Sequence, residues 1–357
     1  MAYSERLAEI KIEPLNEVMR ESLQNKLNNK TKPLGSLGQI EQIALRIGMI
    51  QNTLTPTLSK PQVFVFAGDH GVCEEGVSAF PQAVTQQMVA NFLAGGAAIS
   101  VLARQHGMSL GIVDAGINGD VSDLHGLQNR KINLGSRNFV KELAIASGDV
   151  ILALEAGADV INAASDEGGN VVLLGEMGIG NTTSAAALTH LVTGAPLAEC
   201  VGAGTGLDAA GIAHKLAVIE KGLVQHKAFL DGAEKDAVCL LSAFGGYEIA
   251  MMVGAYLQAA SNKMVVLVDG FIASAALAVA SLINPLVLDY CLFSHGSAEY
   301  GHGALLKYFK RTPILHLGMR LGEGSGSAMA YPLLVSAVNI LNEMASFDEA
   351  GVSASDR

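Results

Sequence analysis

The chain has 357 residues, of which half are apolar and only 16% are charged, and its formal net charge is −11. This composition predicts a large buried core without extended disorder. The 23 Lys and Arg residues form no basic cluster, so a nucleic-acid-binding face is not expected. The four cysteines form no CxxC pair, which argues against a disulfide framework and against a zinc site built from cysteine pairs.

Targeting and membrane segments are also not expected. The first fifteen residues, MAYSERLAEIKIEPL, lack the apolar core of a signal peptide, so we expect a cytoplasmic protein with reduced thiols. Residues 271–288 carry no charge, and this length is at the lower limit for spanning a membrane. Because this stretch breaks at Asn284-Pro285 and lies between Asp269 and Asp289, we interpret it as a helix and then a strand in a buried core.

The first fifty residues predict two amphipathic helices. The first begins at Pro14, and the second follows a break at KPLGSLG, residues 32–38. The predicted apolar face of the first consists of Leu15, Val18, Met19, Leu23 and Leu27, and that of the second of Ile40, Ile43, Ala44, Ile47 and Ile50. Near the other end, a helix is predicted over residues 326–345, followed by an exposed polar tail.

From residue 61 onward, six short apolar runs alternate with Ala-rich helical stretches. The runs are PQVFVFAGDHG, MSLGIVDAG, NVVLLGEMG, KMVVLVDG, PLVLDYCLFSHG and TPILHLG. Nearly continuous hydrophobicity is typical of strands buried on both faces, so the pattern predicts βαβ units and a parallel sheet. Ligands of such sheets bind beyond the carboxyl ends of the strands. The polar residues that end these runs are therefore expected to meet in one crevice.

The segment VVLLGEMGIGNTTSAAAL, residues 171–188, gives the sharpest prediction of a binding site. A strand is predicted to end at Leu174, and the side chains of residues 181–184 are each suited to cap the helix that follows. Such a helix start favours a phosphate, although no Lys follows as in a Walker A loop. A tight turn without a ligand is the alternative. Glu176 is unexpected beside a phosphate and is interpreted as facing a sugar hydroxyl.

Four further segments carry polar residues with weaker signals. The loop VGAGTGLDAAG, residues 201–211, precedes a helix with His214 and Lys215 but lacks the strand and acidic residue of a dinucleotide fold. In FAGDHGV, Asp69 and His70 are interpreted as ordering a turn rather than as an acid–base pair. Asp269 ends the run KMVVLVDG. The remaining segment, LFSHGSAEYGH, favours polar substrate contacts over a metal site, and its polar residues are Ser294, His295, Ser297, Glu299 and His302.

Residues 78–103 have an apolar helical character with Gln86, Gln87 and Met88 near one end. A core helix is one interpretation. The other is a pocket wall of Met, Phe and Ala with one amide, which suits a flat aromatic ligand.

Together these blocks resemble the nicotinate-nucleotide–dimethylbenzimidazole phosphoribosyltransferase family. The resemblance covers nearly the whole chain and rests on KPLGSLG, FAGDHGV, GVSAFPQAVTQQMVANFLAGGAAI, GEMGIGNTT, GTGLD, GGYEIA, VDGF, SHGSAEYGH, LGMRLGEGSG and EAGVS in this order. It implies transfer of phosphoribose from nicotinate mononucleotide to 5,6-dimethylbenzimidazole, giving α-ribazole 5′-phosphate and nicotinate, without a cofactor or metal. It also implies a homodimer with a Rossmann-like parallel sheet over residues 59–325 and a small helical domain from residues 1–58 and 326–357.

The resemblance also implies roles for individual residues. Glu323, in LGEGSG, is expected to be the catalytic base, and Ser78, Gln86 and Leu321 are expected to line the benzimidazole pocket, beside Met88 of the proposed pocket wall. Ribose, phosphate and nicotinate are expected to contact Gly175, Glu176, Met177, Gly178, Gly180, Asn181, Gly204, Lys215, Asp269, Gly270, His295, Gly296 and Ser297. The chain has Ala203 and Gly296 where relatives often have Arg, which removes two cations near the expected phosphate.

Elementary chemistry explains a carboxylate in this glycine-rich turn. Nicotinate mononucleotide holds a cationic pyridinium, so its leaving group departs without a general acid. The attacking benzimidazole becomes cationic unless its other N–H loses a proton, and Glu323 is suited to accept it. Two alternatives remain open at this point. One is a nicotinamide-dinucleotide oxidoreductase, suggested by the glycine loops and the strand-end acids, and the other is a binding protein without activity.

Overall fold

The computed structural model describes residues 5–204, 206–232 and 236–353 and contains a six-stranded parallel sheet of order β3-β2-β1-β4-β5-β6. The strands are β1 Gln62–Gly68, β2 Ser109–Gly116, β3 Leu127–Asn129, β4 Val171–Met177, β5 Val265–Val268 and β6 Cys291–Phe293. All five neighbouring pairs are parallel. The predicted α/β class is therefore confirmed.

Helices connect and cover the strands. They are α1 Glu5–Ala8, α2 Glu17–Asn28, α3 Gln39–Ile50, α4 Ala83–Leu93, α5 Ala98–Gln105, α6 Ser147–Asp166, α7 Asn181–Thr193, α8 Leu197–Cys200, α9 Ala209–Gln225, α10 Lys227–Asp231, α11 Ala237–Phe244, α12 Tyr247–Ser261, α13 Phe271–Ile283, α14 Tyr300–Phe309, α15 Ser325–Glu343 and α16 Phe347–Ala350. Two 3-10 helices, Gly71–Glu75 and Pro285–Tyr290, complete the order.

The strand predictions are wrong in four places, one of which, at the start of the run PLVLDYCLFSHG, is a 3-10 helix. The run TPILHLG forms no strand, and only Leu315 makes an isolated parallel bridge, to His295. Strand β3, at one edge of the sheet, was not predicted because its three residues are at most half-buried and form no apolar run. In addition, β4 continues to Met177 rather than ending at Leu174.

The order in which strands are added to the sheet reverses between β1 and β4, which are parallel neighbours although β2 and β3 lie between them in sequence. From β1 the chain builds outward through β2 to β3, and from β4 it builds outward through β5 to β6. Loops at the carboxyl ends of β1 and β4 therefore diverge and leave a crevice, the usual ligand position in such sheets.

The core contains a close helix pair, α6 and α12, and α12 also packs on β1, β2, β4 and β5. Glycines allow this approach. A Cβ atom on Gly157 would lie 1.9 Å from the Met251 carbonyl oxygen, and one on Gly254 would lie 1.9 Å from that of Leu154. Any larger residue would push the two helices apart, so the small-residue composition of these stretches reflects backbone contact between helices.

The two ends of the described chain meet. Helix α3 packs on both α2 and α15. The Thr31 N–H donates to the Ala345 carbonyl at 3.1 Å, and the Phe347 N–H donates to that of Asn29 at 3.0 Å. Division of the chain into a helical domain (1–58 and 326–357) and an α/β domain (59–325) stays a prediction.

The terminal helices differ in detail from their predictions. Helix α2 begins at Glu17, with the Asn16 side chain accepting from the Val18 N–H, and Val18 is 74% exposed rather than part of the apolar face. Leu23 and Leu27 are buried as expected, and so are four of the five residues predicted for the second helix. The predicted tail contains helix α16, capped by Ser346, while residues 354–357 lie outside the described part.

Residues 271–288 form the buried helix α13 and most of a 3-10 helix. The strand expected within this range is therefore wrong, because β6 begins only at Cys291. Among the described residues, Ala83–Gln105 alone is long and apolar enough to cross a membrane. This segment is two helices, α4 and α5, because the chain turns at Gly95, whose φ is +81°. The single helix predicted over residues 78–103 is therefore divided.

Candidate active site

A cavity of about 410 Å³ lies beyond the carboxyl ends of β4, β5 and β6, between helix α4 and the turn before α15. Twelve of the residues predicted from the sequence line it: Met88, Glu176, Met177, Gly178, Asn181, Gly204, Asp269, Gly270, His295, Ser297, Leu321 and Glu323. The polar ends of three predicted strands thus meet in one crevice, as expected for a parallel sheet.

Six predicted site residues do not line this cavity, and three of them contact residues outside its predicted lining. The Ser78 hydroxyl accepts from the N–H of Phe80, whose residue does line the cavity. The Gln86 amide donates to the Asp120 carbonyl at 2.6 Å. Gly296 lies beside His316, because a Cβ on Gly296 would be 2.9 Å from the His316 Nδ1 atom. The other three, Gly175, Gly180 and Lys215, lie directly behind cavity residues.

Glu323 occupies a turn of left-handed residues. The φ angles are +83° at Gly322, +65° at Glu323 and +81° at Gly324. A non-glycine residue in this conformation costs on the order of 1 kcal/mol and persists only where its surroundings hold it. Glu323 is 5% exposed, and its Oε2 atom accepts from the Ile99 N–H at 3.4 Å, at the start of α5. The turn therefore points a carboxylate into the cavity at a fixed place.

The electrostatic surroundings of Glu323 favour a proton acceptor. Burial raises the pKa of this carboxyl, the Ile99 N–H lowers it, and the nearby Asp269 raises it again. A carboxylate with a raised pKa holds a proton more strongly than an exposed one, which improves a general base as long as it is ionised at the working pH.

Gly175 fixes the height of this turn above the sheet. It lies inside β4, opposite Val65 of β1. A Cβ on Gly175 would lie 2.4 Å from both the Glu323 carbonyl carbon and the Gly324 nitrogen. Only a glycine permits this backbone contact, so the predicted site residue Gly175 supports Glu323 from below.

Glu176 is a second carboxyl in the cavity, and it differs sharply from Glu323. Burial, together with the charges of Asp269 and Glu248, raises its pKa to about 8, against the lowering effect of a hydrogen bond from Asn181. At neutral pH this carboxyl therefore carries a proton and can donate a hydrogen bond. The predicted capping is wrong, because α7 begins at Asn181 and its cap residue, Gly180, has no side chain. The Asn181 amide donates to Glu176.

Asp269 connects the end of β5 to the Glu323 turn. Its Oδ1 atom accepts from the Ser327 N–H at 3.0 Å and lies 3.7 Å from the His295 Nε2 atom. Burial raises the pKa of Asp269, while His295 and the N–H groups of Ser327, Gly270 and Gly326 lower it. Because Asp269 binds the first turn of α15, it helps to hold the chain immediately after Glu323.

Cationic groups lie at another part of the cavity. The Lys215 side chain is buried, and its Nζ atom donates to the Thr182 hydroxyl at 3.1 Å. Burial lowers the pKa of Lys215 to about 8, although Glu299 opposes this effect. The Arg320 guanidinium donates to the Gly204 carbonyl at 3.0 Å. Two cations and the start of α7 thus meet where Thr182 and Gly204 line the wall, which suits an anionic group.

The loop after β6 is held by His302. The Ser297 N–H donates to the His302 Nδ1 atom at 2.8 Å, and the Nε2 atom lies 3.1 Å from the Ser274 hydroxyl. Burial lowers the pKa of His302 to about 3, so the ring is neutral and accepts at Nδ1. Across the described ranges, no group of three or more His, Cys, Asp or Glu side chains is placed to hold a metal ion.

Sequence analysis missed several lining residues. Val84 lies one helical turn before Met88, so helical spacing was a usable signal for it. Arg320 lies in the segment LGMRLGEGSG that also holds Glu323. Thr182 was predicted as a possible helix cap and Glu299 as a polar substrate contact, and both line the cavity. The lining residues that gave no individual signal are Phe80, Ile179, Phe271, Ile272, Ala273 and Gly322.

Comparisons with known proteins identify the family of the chain. A family model described as phosphoribosyltransferase matches residues 12–352. A Dechloromonas aromatica protein named nicotinate-nucleotide–dimethylbenzimidazole phosphoribosyltransferase is 54% identical over 332 residues, 93% of this chain and 95% of that protein. A protein of the same name from Phocaeicola vulgatus is 46% identical over 96% of this chain and 98% of its own length. The chain belongs to this phosphoribosyltransferase family.

The fold of a solved relative matches as well. The crystal structure of CobT from Thermus thermophilus superposes with a TM-score of 0.89 at 37% identity, covering 94% of this chain and 99% of that one. As a member of the nicotinate-nucleotide–dimethylbenzimidazole phosphoribosyltransferase family, the protein is an enzyme that transfers a pentosyl group. Membership in this family favours the transferase hypothesis over the oxidoreductase.

Proposed function

We propose that the protein transfers the 5-phosphoribosyl group from nicotinate mononucleotide to 5,6-dimethylbenzimidazole, in the synthesis of the lower ligand of cobalamin. The products are α-ribazole 5′-phosphate and nicotinate. The observation that carries this proposal is the buried Glu323 carboxylate in a cavity that is apolar on one side and cationic on another. The names of its relatives supply the two substrates.

The apolar side of the cavity suits the benzimidazole. Phe80, Val84 and Met88 from α4 and the loop before it share the wall with Leu321, two residues before Glu323. A flat aromatic ring gains affinity from burial against such side chains and needs few polar contacts for orientation. In this arrangement one ring nitrogen points to Glu323 and the other points to the donor.

The cationic side suits the phosphoribosyl group. Lys215 and Arg320 supply positive charge near Thr182 and Gly204, and the N–H groups at the start of α7 add a partial positive charge. The protonated Glu176 carboxyl donates to a ribose oxygen without repelling the phosphate. Ala203 and Gly296 add no cation, so backbone groups carry a larger share of phosphate binding here.

The reaction follows from this placement. The benzimidazole nitrogen attacks C1′ from the face opposite the pyridinium, and the bond from C1′ to the nicotinate nitrogen breaks. Its electron pair neutralises the pyridinium, so nicotinate leaves without receiving a proton. The benzimidazole N–H proton passes to Glu323, which removes the positive charge that develops on the attacking ring. Attack from the opposite face inverts C1′ and converts a β-nucleotide into an α-riboside.

Glu323 is a better base than Glu176 in this site. A general base must be ionised before it accepts a proton, and the pKa of about 8 leaves most Glu176 carboxyls protonated at neutral pH. Glu323 feels fewer raising influences and accepts one N–H bond, from Ile99, which favours its charged form. The two carboxyls therefore have different roles, donor for Glu176 and acceptor for Glu323.

The test is incubation of the purified protein with nicotinate mononucleotide and dimethylbenzimidazole, without added metal, followed by chromatography with mass detection. We expect α-ribazole phosphate and nicotinate in equal amounts. Absence of product from folded protein, with a panel of other bases also unreactive, would leave a binding protein without activity.

Glu323→Gln tests the base, with Glu176→Gln as the matched control. We expect kcat to fall about 10²- to 10⁴-fold in Glu323→Gln, because one positioned base contributes this much. In the wild type, kcat rises with pH through the raised pKa of Glu323, and this limb disappears in the variant. More than a tenth of wild-type kcat in Glu323→Gln, or a larger loss in Glu176→Gln, would refute the assignment.

We also propose that the enzyme works in the cytoplasm as a homodimer, without a cofactor, as the family resemblance implies. Light scattering coupled to size-exclusion chromatography tests the dimer directly, and a mass near 37 kDa, that of one chain, would contradict it.

A further inference from the structure

Three buried polar side chains outside the cavity lie in one hydrogen-bonded chain. The His70 Nε2 atom is 2.6 Å from the Glu248 Oε1 atom, and its Nδ1 atom is 3.0 Å from the Ser184 hydroxyl. All three side chains are fully buried. His70 follows β1, Glu248 lies in the first turn of α12, and Ser184 lies in the first turn of α7. None of them contacts the substrates in the reaction derived above, although the charge of Glu248 helps to raise the pKa of Glu176.

Glycines bring backbone close to this chain on several sides. A Cβ on Gly68 would lie 2.9 Å from the Glu248 Oε2 atom, and a Cβ on Gly246 would lie 2.3 Å from the His70 ring. Gly178, which lines the cavity, also lies close to Glu248. A Cβ on Gly178 would lie 2.2 Å from the Gly68 carbonyl oxygen and 3.5 Å from the Glu248 Oε1 atom. A single glycine backbone thus separates the buried pair from the cavity.

Stability alone does not account for this arrangement. The Glu248 Oε2 atom has no hydrogen-bond partner among the described residues, and burying such an oxygen is unfavourable. Buried polar pairs are often no more stabilising than apolar residues of the same volume. A fully buried carboxylate with one unsatisfied oxygen is better explained by what it holds in place.

The His70–Glu248 pair fixes the position of Ser184 through the His70 Nδ1 atom. Ser184 lies two residues after Thr182, which lines the cavity and accepts from Lys215. A second link from the same end of β1 reaches the loop before α7: Asp69 accepts from the Thr85 hydroxyl, which in turn accepts from the Ile179 N–H at 3.1 Å. The start of α7 is therefore tied to the end of β1 from two directions.

We propose that Glu248, His70 and Ser184 form a positioning chain for the phosphoribosyl donor. Glu248 fixes the His70 ring, and His70 fixes the first turn of α7 through Ser184. The N–H groups and the Thr182 hydroxyl at this helix start then meet the donor phosphate without reorganisation, which lowers the cost of binding. The inference rests on the proposed function, since it names further residues that support the same site.

Ser184→Ala is the first test, because it removes one hydrogen bond and adds no bulk. We expect the KM for nicotinate mononucleotide to rise about 3- to 10-fold, the size of one such bond, with kcat and the KM for dimethylbenzimidazole within twofold. The matched control is Ser242→Ala. It removes a buried hydroxyl of helix α11 that lies 3.1 Å from the Ser147 hydroxyl. It is expected to change neither KM.

The pair itself is tested by Glu248→Leu and Glu248→Gln. Leu removes the acceptor for His70, whereas Gln keeps one, so Gln is expected to restore most of the donor KM that Leu loses. Unchanged donor KM in Ser184→Ala, or equal changes in both KM values, would overturn the proposal. The proposal would also be overturned if Ser184→Ala lowered the thermal stability without changing the KM for nicotinate mononucleotide.

Calorimetric binding of nicotinate mononucleotide separates this inference from the proposed function. Wild-type protein that binds the donor without turnover, with weaker binding in Ser184→Ala, would refute the transferase activity and support the positioning chain. Wild-type protein that does not bind the donor would overturn both.

Discussion

Replacing Gly175 with alanine tests whether the position of Glu323 sets the rate. The new methyl group would lie 2.4 Å from the Glu323 carbonyl carbon and from the Gly324 nitrogen, whereas ordinary contacts begin at 3.4 Å. Both neighbours are backbone atoms, which do not rotate away as the end of a side chain does. Strand β4 is paired on both sides, to β1 and to β5, so the turn has to move rather than the strand.

The size of the effect follows from this shortfall of about 1 Å. A displacement of that size in a reacting group costs about 10²-fold in rate, because the near-attack geometry is lost. Crowding of a packed site also lowers stability, by about 1–3 kcal/mol. We therefore expect kcat to fall about 100-fold in Gly175→Ala while most of the protein stays folded at room temperature.

The assay is steady-state release of α-ribazole phosphate, with circular dichroism and thermal unfolding on the same samples. Gly148→Ala is the matched control, since a Cβ there meets nothing within 4 Å and the residue is exposed in α6. It makes the same chemical change and is expected to keep the wild-type rate. A folded Gly175→Ala enzyme with a rate within threefold of wild type would refute the link between this contact and catalysis.

Two further predictions concern the buried charges. Because the pKa of Glu176 is raised to about 8, the folded protein holds a proton that the unfolded chain releases near its ordinary pKa of 4.5. The free energy of unfolding therefore falls as pH rises between these values, by up to about 1.4 kcal/mol per pH unit, and Glu176→Gln should flatten this slope in urea titrations. Parallel slopes in the two proteins would contradict the raised pKa. Lys215→Met should raise the KM for the donor about 10- to 100-fold through loss of a charged hydrogen bond, and a change below twofold would remove Lys215 from donor binding.

The sheet was predictable where hydrophobicity is continuous. Strands β1, β4 and β5 are buried at nearly every position, and each contains at least four consecutive apolar residues. The run TPILHLG has the same composition, but Ile314 and Leu315 serve the loop after β6, where their N–H groups bond to Phe293 and Ser294 carbonyls. Ile314 and Leu315 are only partly buried and Leu317 is 54% exposed, so an apolar run by itself establishes neither a strand nor burial.

The position of the site in the fold was predictable from the sequence, whereas most of its side-chain contacts were not. Strand-end residues such as Asp269 and Glu176 reach the cavity because parallel strands share one carboxyl edge. The contact between Lys215 and Thr182 joins residues 33 positions apart, and tertiary packing of α9 against α7 creates it. A cap was also predicted at Asn181, whereas α7 already begins at this residue and its amide donates to Glu176.

For the proposed reaction, the same packing removes a conflict between three carboxyl groups and the phosphate of the donor. Glu176, Asp269 and Glu323 would repel an anionic donor if all three were ionised, and Ala203 and Gly296 bring no cation to offset them. Burial instead keeps Glu176 protonated, and the charge of Asp269 is partly balanced by His295 and by the N–H groups of the first turn of α15. Glu323 then remains as the carboxylate that is free to take a proton. Adding or removing a charge near Glu176, Asp269 and Glu323 is therefore expected to change which of the three carboxyl groups holds a proton. The proposed base is Glu323 because burial raises the pKa of Glu176.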